Sequence, residues 1–399
     1  MKVLMINVVC GVKSTGRICT DLAQALEAKG HEVKIAYGRE DVPEKFQKYA
    51  VRIGDDMDVK FHGIKARLFD SAGFESTRVT ERFLEWVKIY DPDVIHLHNI
   101  HGYYIDVEKL FEYLHTCKKK IIWTLHDCWA FTGHCAYFDF VDCKKWASQC
   151  ESCPQKRSYP QSIFMDRSTR NYRKKKDLFC GGLDMTLVTP SHWLAKLLNN
   201  SFLSEYKVQV IPNGIDLDVF KPSYNGEELR AKFQNKKIIL GVASVWNHRK
   251  GLQDFIKLSQ RLKEEYIIIL IGLKEDQMKG LPDNIVGISY TASVEELAAY
   301  YSAAEVLINP TYEDNFPTVN LEALACATPV ITYNTGGSPE CISPECGVVA
   351  EKGNVDDLYE SIYSINKIKR EACREQSQKY SKNLMYEAYL KLYDDFTEL

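Results

Sequence analysis

The residues best placed to do chemistry lie in "NPTYEDNFPTVNLEALACATPVITYNTGGSPE", Asn309 to Glu340. A strand, "AEVLINPT", runs into a polar loop, and Pro317, suited to the first position of a helix, opens one over "TVNLEALACA". From Thr318 on, the first amides of that helix have no partner within it and can receive a diphosphate. Glu322 falls in the second turn, where a carboxylate can accept from both hydroxyls of a ribose. Taken alone, such a residue is more ordinarily a solvated helix charge. A second cluster follows the strand "KKIILGV": in "ASVWNHRKGLQDFIKL", Arg249 and Lys250 stand at a strand exit and can neutralise a departing diphosphate without a metal. The bland alternative is a solvated "HRK" run.

Three further stretches hold chemistry-bearing side chains. "TLHDCWAF" sets His126 and Asp127 where a strand ends; His126 is a hydrogen-bonded structural residue or a polar contact to substrate. "HLHNIHGYY" adds His96, His98 and His101. Strand alternation sends His96 and His98 to one face, but with no carboxylate pattern beside them, packing or acceptor contacts suit them better than a metal. "GVKSTGRI", Gly11 to Ile18, approaches a phosphate-binding P-loop, with Arg17 and Ile18 where the motif needs Lys and Ser or Thr. An isoleucine cannot ligate magnesium, so the stretch reads as a glycine-containing strand-to-helix turn, with a helix expected from "CTDLAQALEAKG".

These residues need elements that bring them together. Short apolar runs, "KVLMINVV", "HEVKIAY", "DVIHLH", "KKIIWTLH" and "DMTLVTPS", alternate with amphipathic stretches, and "KKIILGVAS", "YIIILIGL", "NIVGISY", "AEVLINPT" and "TPVITYNT" repeat the scheme. Right-handed βαβ units and two parallel, doubly wound sheets follow. Ligands in such sheets bind beyond the carboxyl ends of the strands, where Lys250, Glu322 and His126 all fall. The final helix carries Tyr386, Tyr389, Leu390 and Tyr393 at helical spacing, a stripe expected to pack back on the first domain.

With these motifs in hand, the chain resembles glycosyltransferase family 4, retaining sugar-nucleotide transferases of the GT-B fold, along its whole length. The family's two glutamates separated by seven residues match Asp314 and Glu322, the first one methylene shorter, with Glu313 just before it. "RKG" matches its Lys-Gly at Lys250 and Gly251; Val245 stands where the pattern has an Arg, and Arg249 is an alternative source of charge. The resemblance implies two Rossmann-like domains facing a cleft: residues 1–212, with a Cys-rich insertion at about 128–155 and the helix 383–399 packed back, and 213–382. It implies that Gly16, Arg249, Lys250, Glu313, Asp314, Phe316, Pro317, Thr318 and Glu322 bind the donor. His126, Asp314, Arg249 and Lys250 would act at the reacting centre.

"HCAYFDFVDCKKWASQCESC" sets Cys135, Cys143, Cys150 and Cys153 within nineteen residues. Four thiolates can close a tetrahedral zinc site and fix an irregular loop; His134 and Cys128 are alternative ligands, and free thiols the plain reading. "RSTRNYRKKKDLF" gathers Arg167, Arg170, Arg173, Lys174, Lys175 and Lys176, a solvated helical face or a peripheral contact with anionic lipid.

Composition bounds the rest. With 399 residues, 45% hydrophobic and 26% charged, the chain is long enough for two domains and has no apolar run of bilayer length. "MKVLMINVVC" reads as a buried first strand, not a signal peptide, and thirteen cysteines suit a reducing compartment. A net charge of −3 argues against nucleic acid. The expectation is a cytoplasmic enzyme, at the inner face of the membrane if the basic run meets lipid. It would move a sugar from a UDP- or GDP-sugar to a glycan or polyprenyl-linked acceptor in bacterial surface polysaccharide synthesis, with no cofactor needed for catalysis. A sugar-nucleotide epimerase and a non-catalytic sugar-nucleotide- or glycan-binding protein are the rival readings.

Overall fold

The computed structural model describes residues 1–223 and 225–395. The chain divides into two compact units, Met1–Ile211 with Tyr386–Leu399, and Pro212–Met385. The last four residues of the expected C-terminal helix, 396–399, lie outside the described residues.

The first unit is built on strands β1 (Lys2–Ile6), β2 (Glu32–Tyr37), β3 (Ala50–Arg52), β4 (Val94–Leu97), β5 (Lys120–Thr124), β6 (Met185–Thr189) and β7 (Lys207–Val210). They form one sheet in the order β3-β2-β1-β4-β5-β6-β7, every pairing parallel. The order reverses between β1 and β4, the place where an open α/β sheet leaves a crevice for ligands. Val3, Leu4 and Met5 of β1 are wholly buried, as a strand covered on both faces must be.

The second unit repeats the plan with β8 (Lys237–Val242), β9 (Tyr266–Ile271), β10 (Ile285–Ile288), β11 (Val306–Asn309), β12 (Val330–Tyr333) and β13 (Gly347–Ala350). Its sheet, also parallel, runs β10-β9-β8-β11-β12-β13, with the reversal between β8 and β11. The run "YIIILI" of β9 shows why: branched side chains suit a pleated surface, and Ile268 to Leu270 are wholly buried. Both units are Rossmann-like, in agreement with the expected fold class.

Two local expectations need correction. The first helix spans Lys13–Ala28, six residues earlier than expected, so Gly16 lies in its first turn and not in a loop. A Cβ on Gly16 would stand 3.0 Å from Val9 Cγ2 and 3.2 Å from the Gly11 nitrogen, so the absent side chain lets the helix seat on the loop before it. The helix over "TVNLEALACA" runs only from Thr318 to Ala325, with Pro317 as its N-cap. Ala327, at φ +60°, has already left the helical region.

The helix Lys382–Asp394 starts in the second unit and finishes in the first. There Tyr389, Leu390 and Tyr393 are buried; Tyr393 Oη lies 2.5 Å from His96 Nδ1 and Tyr389 Oη 3.1 Å from Thr124 Oγ1. Among the described residues no helix is long and apolar enough to cross a membrane.

Candidate active site

In the second unit, the loops leaving the switch-point strands β8 and β11 are joined by a charge pair. After β8, Trp246 is buried with its indole N–H on the Ile271 carbonyl, anchoring the loop from below. Asn247 then accepts from the Lys250 amide and starts a single turn, His248–Lys250, that Gly251 ends at φ +72°. A Cβ at Gly251 would stand 2.3 Å from the Pro310 carbonyl oxygen, so this glycine lets the two loops touch. The Tyr312 amide donates to the Arg249 carbonyl at 2.7 Å, and Lys250 Nζ reaches Asp314 Oδ2 at 2.5 Å. Both side chains of that pair are largely but not wholly covered, at 20% and 14% exposure, so the pair is poorly screened yet open to a ligand.

Asp314 is held on its own side as well. Its Oδ1 accepts from the Asn315 amide, and its carbonyl accepts from the Gly337 amide at 3.2 Å. Phe316 and Pro317 are buried and fix the turn into the helix, and the Asn213 side-chain Nδ2 donates to the Phe316 carbonyl. No side chain caps the helix at Pro317. The Asn320 amide turns back to the Pro317 carbonyl at 3.2 Å, and the helix geometry leaves the amides of Thr318 and Val319 for an anion. One turn on, Glu322 is half-buried and accepts from Tyr301 Oη at 2.6 Å. Burial first, and the Glu322 charge second, push the Tyr301 phenol well above its ordinary range, so it remains a donor. Sequence reading missed Tyr301: in "AAYYSAAE" it is a helix residue among apolar neighbours, and only the fold sets its hydroxyl against Glu322.

The other sequence-derived donor residues are in the same loops with different occupations. Arg249 donates from Nη1 to the Glu313 carbonyl at 2.8 Å, so this guanidinium braces the β11 loop. The Glu313 side chain is buried. Val245 is exposed on the β8 loop.

In the first unit the histidines form a connected set. The rings of His96 and His98 lie 4.1 Å apart, tilted by 32°; His96 also bonds Thr124, and His98 stacks on His126 with its Nδ1 3.1 Å from His126 Nε2. Burial holds all three below the ordinary histidine range, His96 to about 3 and His126 to about 4, so they are neutral rings at neutral pH. His126 is thus a neutral hydrogen-bonding group and not a cation. Its neighbour Asp127 pairs with His101 at 2.9 Å and accepts from the Trp129 amide.

The Cys-rich loop and the basic helix differ from expectation. Cys135, Cys143, Cys150 and Cys153 do line a single pocket. Yet among the described residues no group of three or more His, Cys, Asp or Glu side chains is spaced as metal ligands; Cys135 and Cys153 hydrogen-bond each other instead. In the helix Ser168–Phe179, Arg170, Arg173 and Lys176 are exposed, but Lys175 points inward. Its ammonium donates to the Trp129 and Thr132 carbonyls at 2.6 and 3.0 Å, so it belongs to no solvated face.

Comparison with known proteins matches residues 15–219 to a family described as Glycosyltransferase Family 4 and residues 226–383 to one described as Glycosyl transferases group 1. Over 370 residues, 90% of this chain and 89% of the relative, it is 23% identical to the putative colanic acid biosynthesis glycosyl transferase WcaC of Escherichia coli K12. Over half of this chain and 57% of the relative, it is 27% identical to the N,N'-diacetylbacillosaminyl-diphospho-undecaprenol alpha-1,3-N-acetylgalactosaminyltransferase of Campylobacter jejuni. Among solved structures, sucrose-phosphate synthase from Thermosynechococcus elongatus superposes with a TM-score of 0.73 at 17% identity, covering 100% of this chain and 99% of that one. Anabaena HepE, solved in complex with UDP, does so with a TM-score of 0.67 at 14% identity, covering 99% and 100%.

Proposed function

The chain belongs to glycosyltransferase family 4, and from that premise we propose that this glycosyltransferase is a retaining enzyme using a nucleoside-diphosphate sugar, UDP- or GDP-linked. The acceptor is a hydroxyl of a glycan or polyprenyl-linked saccharide, and the setting is assembly of a bacterial surface polysaccharide at the cytoplasmic face of the membrane. The relatives named above for colanic acid synthesis and for a diphospho-undecaprenol acceptor support that setting. The observation that carries the donor half is the meeting of Lys250, Asp314 and an uncapped helix N-terminus at the switch point of the second sheet.

In this reading the diphosphate lies on the amides from Thr318 and draws Lys250 from Asp314. Glu322, steadied by Tyr301, accepts from the ribose hydroxyls. Asp314, released from the ammonium, accepts from hydroxyls of the donor sugar, while Arg249 and the buried Glu313 keep the loop in place. The anomeric carbon–oxygen bond to phosphate breaks as the acceptor oxygen bonds to the same face. The acceptor's proton passes to the leaving phosphate oxygen, and Lys250 and the helix amides stabilise the charge left there. His126, held neutral by burial, serves as a hydrogen-bonding group of the first unit and not as a cation.

Acceptor approach is read from the first unit. Ile163, Phe164 and Met165 are exposed beside Arg167 and Arg170, a pairing of apolar and basic side chains suited to peripheral contact with anionic lipid. The test is nucleotide release from a panel of UDP- and GDP-sugars by metal-stripped protein, with and without lipid-linked acceptor. Acceptor-dependent release with retained configuration is expected. Donor turnover without any acceptor would favour an epimerase, and tight nucleotide binding without turnover a binding protein. Strict dependence on Mg²⁺ would contradict a leaving phosphate stabilised by Lys250 and the helix amides alone.

A further inference from the structure

Tyr159 lies in the irregular segment between the turn Lys145–Ala147 and the helix Ser168–Phe179, yet its hydroxyl returns to the carboxyl end of the first sheet. It meets His101 Nδ1 at 2.9 Å, in the loop that leaves β4. Gly102, at φ +113°, lets that loop close on the exit of β1: an added Cβ would stand 2.6 Å from Val8 Cγ2 and 3.8 Å from Tyr159 Oη. The hydroxyl is therefore anchored at the switch point between β1 and β4, where an open α/β sheet receives ligands.

The anchor is supported in turn. His101 Nε2 stands 2.9 Å from Asp127 Oδ2, and both side chains are largely covered. A bare Nε2 would set its lone pair against that carboxylate, so the neutral ring carries its proton there and Nδ1 accepts the Tyr159 O–H. Asp127 is itself held by the Trp129 amide, and Lys175 braces Trp129, its ammonium 3.4 Å from the indole centre and 2.6 Å from the Trp129 carbonyl oxygen. The Tyr159 ring also makes a T-shaped contact with Tyr103, the centres 6.2 Å apart at 70°. Two contacts thus orient the ring, and yet Tyr159 is 47% exposed. With its hydroxyl bound to a buried partner, what remains to meet a ligand is an apolar ring in a set orientation.

We infer that Tyr159 is a stacking platform for one pyranose ring of the acceptor, with His101 and Asp127 as the residues that position it. A pyranose has an apolar face of C–H groups, whose positive hydrogens meet the negative face of an aromatic ring. A ring already oriented loses little rotamer freedom when the sugar arrives. The assignment rests on the reading of the acceptor as a saccharide bound by the first unit. A lipid surface asks only for exposed apolar area; an orientation fixed at a strand exit is what the face of a sugar requires.

The test reads binding by saturation-transfer NMR on the full chain without donor, with methyl pyranosides of glucose, galactose, mannose and N-acetylglucosamine as probes. At least one is expected to bind, with saturation strongest on the C–H protons of one ring face. Tyr159→Leu, which keeps apolar bulk, should weaken that pyranoside about 3- to 10-fold. Tyr159→Phe keeps the ring but frees its tip, and should weaken it about threefold. His101→Gln acts only through the hydroxyl, so it should weaken binding in the unaltered chain and add nothing in Tyr159→Phe. The inference is overturned if none of these pyranosides binds, or if Tyr159→Leu binds as well as the unaltered chain. Loss of binding to phosphatidylglycerol vesicles in Tyr159→Leu, with the pyranoside retained, would assign the ring to lipid instead. The absence of donor separates this result from transfer: pyranoside binding through Tyr159 without sugar transfer removes the enzymatic reading alone, while transfer at an unchanged acceptor KM in Tyr159→Leu removes the platform alone.

Discussion

Lys250 and Asp314, 64 residues apart in sequence, close an ion pair at 2.5 Å between the loops leaving β8 and β11. The pair makes the cation that would meet the diphosphate and the carboxylate that would meet the sugar neutralise each other until a donor arrives. Part of the donor's binding energy is therefore spent on parting them, and the two substitutions should act in opposite directions on nucleotide binding. Lys250→Ala is expected to weaken UDP or GDP binding and lower kcat/KM for transfer by roughly 10²- to 10³-fold. Asp314→Asn frees the ammonium and should tighten nucleotide binding while abolishing most turnover. Calorimetry with the nucleotide, set beside transfer rates, reads both, and unchanged turnover in Lys250→Ala would remove this site assignment.

Tyr301 and Glu322 test the ribose contact. Without the phenol, Glu322 keeps its charge but loses the group that aims it, a loss of about 1–2 kcal/mol. Tyr301→Phe should thus raise the donor KM about tenfold and leave kcat nearly unchanged. An equal fall in kcat would mean that the contact matters in the transition state and not in donor binding.

What could be read from the sequence follows how local each signal is. Strands such as β8 and β9 announce themselves because burial on both faces demands unbroken branched side chains, and Lys250 and Glu322 stand beside elements that regular. β3, β7 and β13 are edge strands whose residues are in part half-buried or exposed, so no long apolar run marks them. The start of the first helix was hidden because Gly16, a poor helix former, sits in its first turn for the sake of contact with Val9. Lys175 lay among five other basic residues, and nothing in that run marks the one whose ammonium turns inward. Tyr301 became relevant only through a partner 21 residues away on another helix.

The buried histidines give the first unit a particular acid response. His62, His96, His98 and His126 are held by burial below the ordinary value of 6.5. An unfolded chain takes up their protons near pH 6.5, while the folded chain resists until about pH 4 for His126 and about 3 for His96. Stability is therefore full above pH 6.5 and falls as the pH drops through that window, by roughly 1.4 kcal/mol per pH unit for each histidine that stays neutral. Thermal melts from pH 7.5 to 4.5 should show the loss, and His96→Gln should flatten the slope whatever it does to stability at pH 7.5. A slope identical to that of the unaltered chain would assign the acid response elsewhere.

Gly336 offers a way to move Asp314 without touching its side chain. Its φ is +56°, and an added Cβ would stand 1.9 Å from the Asp314 carbonyl oxygen, so an alanine there must push the β11 loop outward. Gly336→Ala combines backbone strain with that collision and is expected to cost roughly 2–3 kcal/mol of stability. The same displacement should part Asp314 from Lys250 and cut turnover by at least an order of magnitude at temperatures where the protein remains folded. Gly280 is the control, because its φ of +79° imposes a similar backbone strain while nothing lies within 4 Å of the added atom. Gly280→Ala should lose about 1 kcal/mol and keep its activity. If both variants lose stability equally and both transfer sugar at the original rate, the close approach of Gly336 to Asp314 serves the fold alone and the loop position is not what sets the rate.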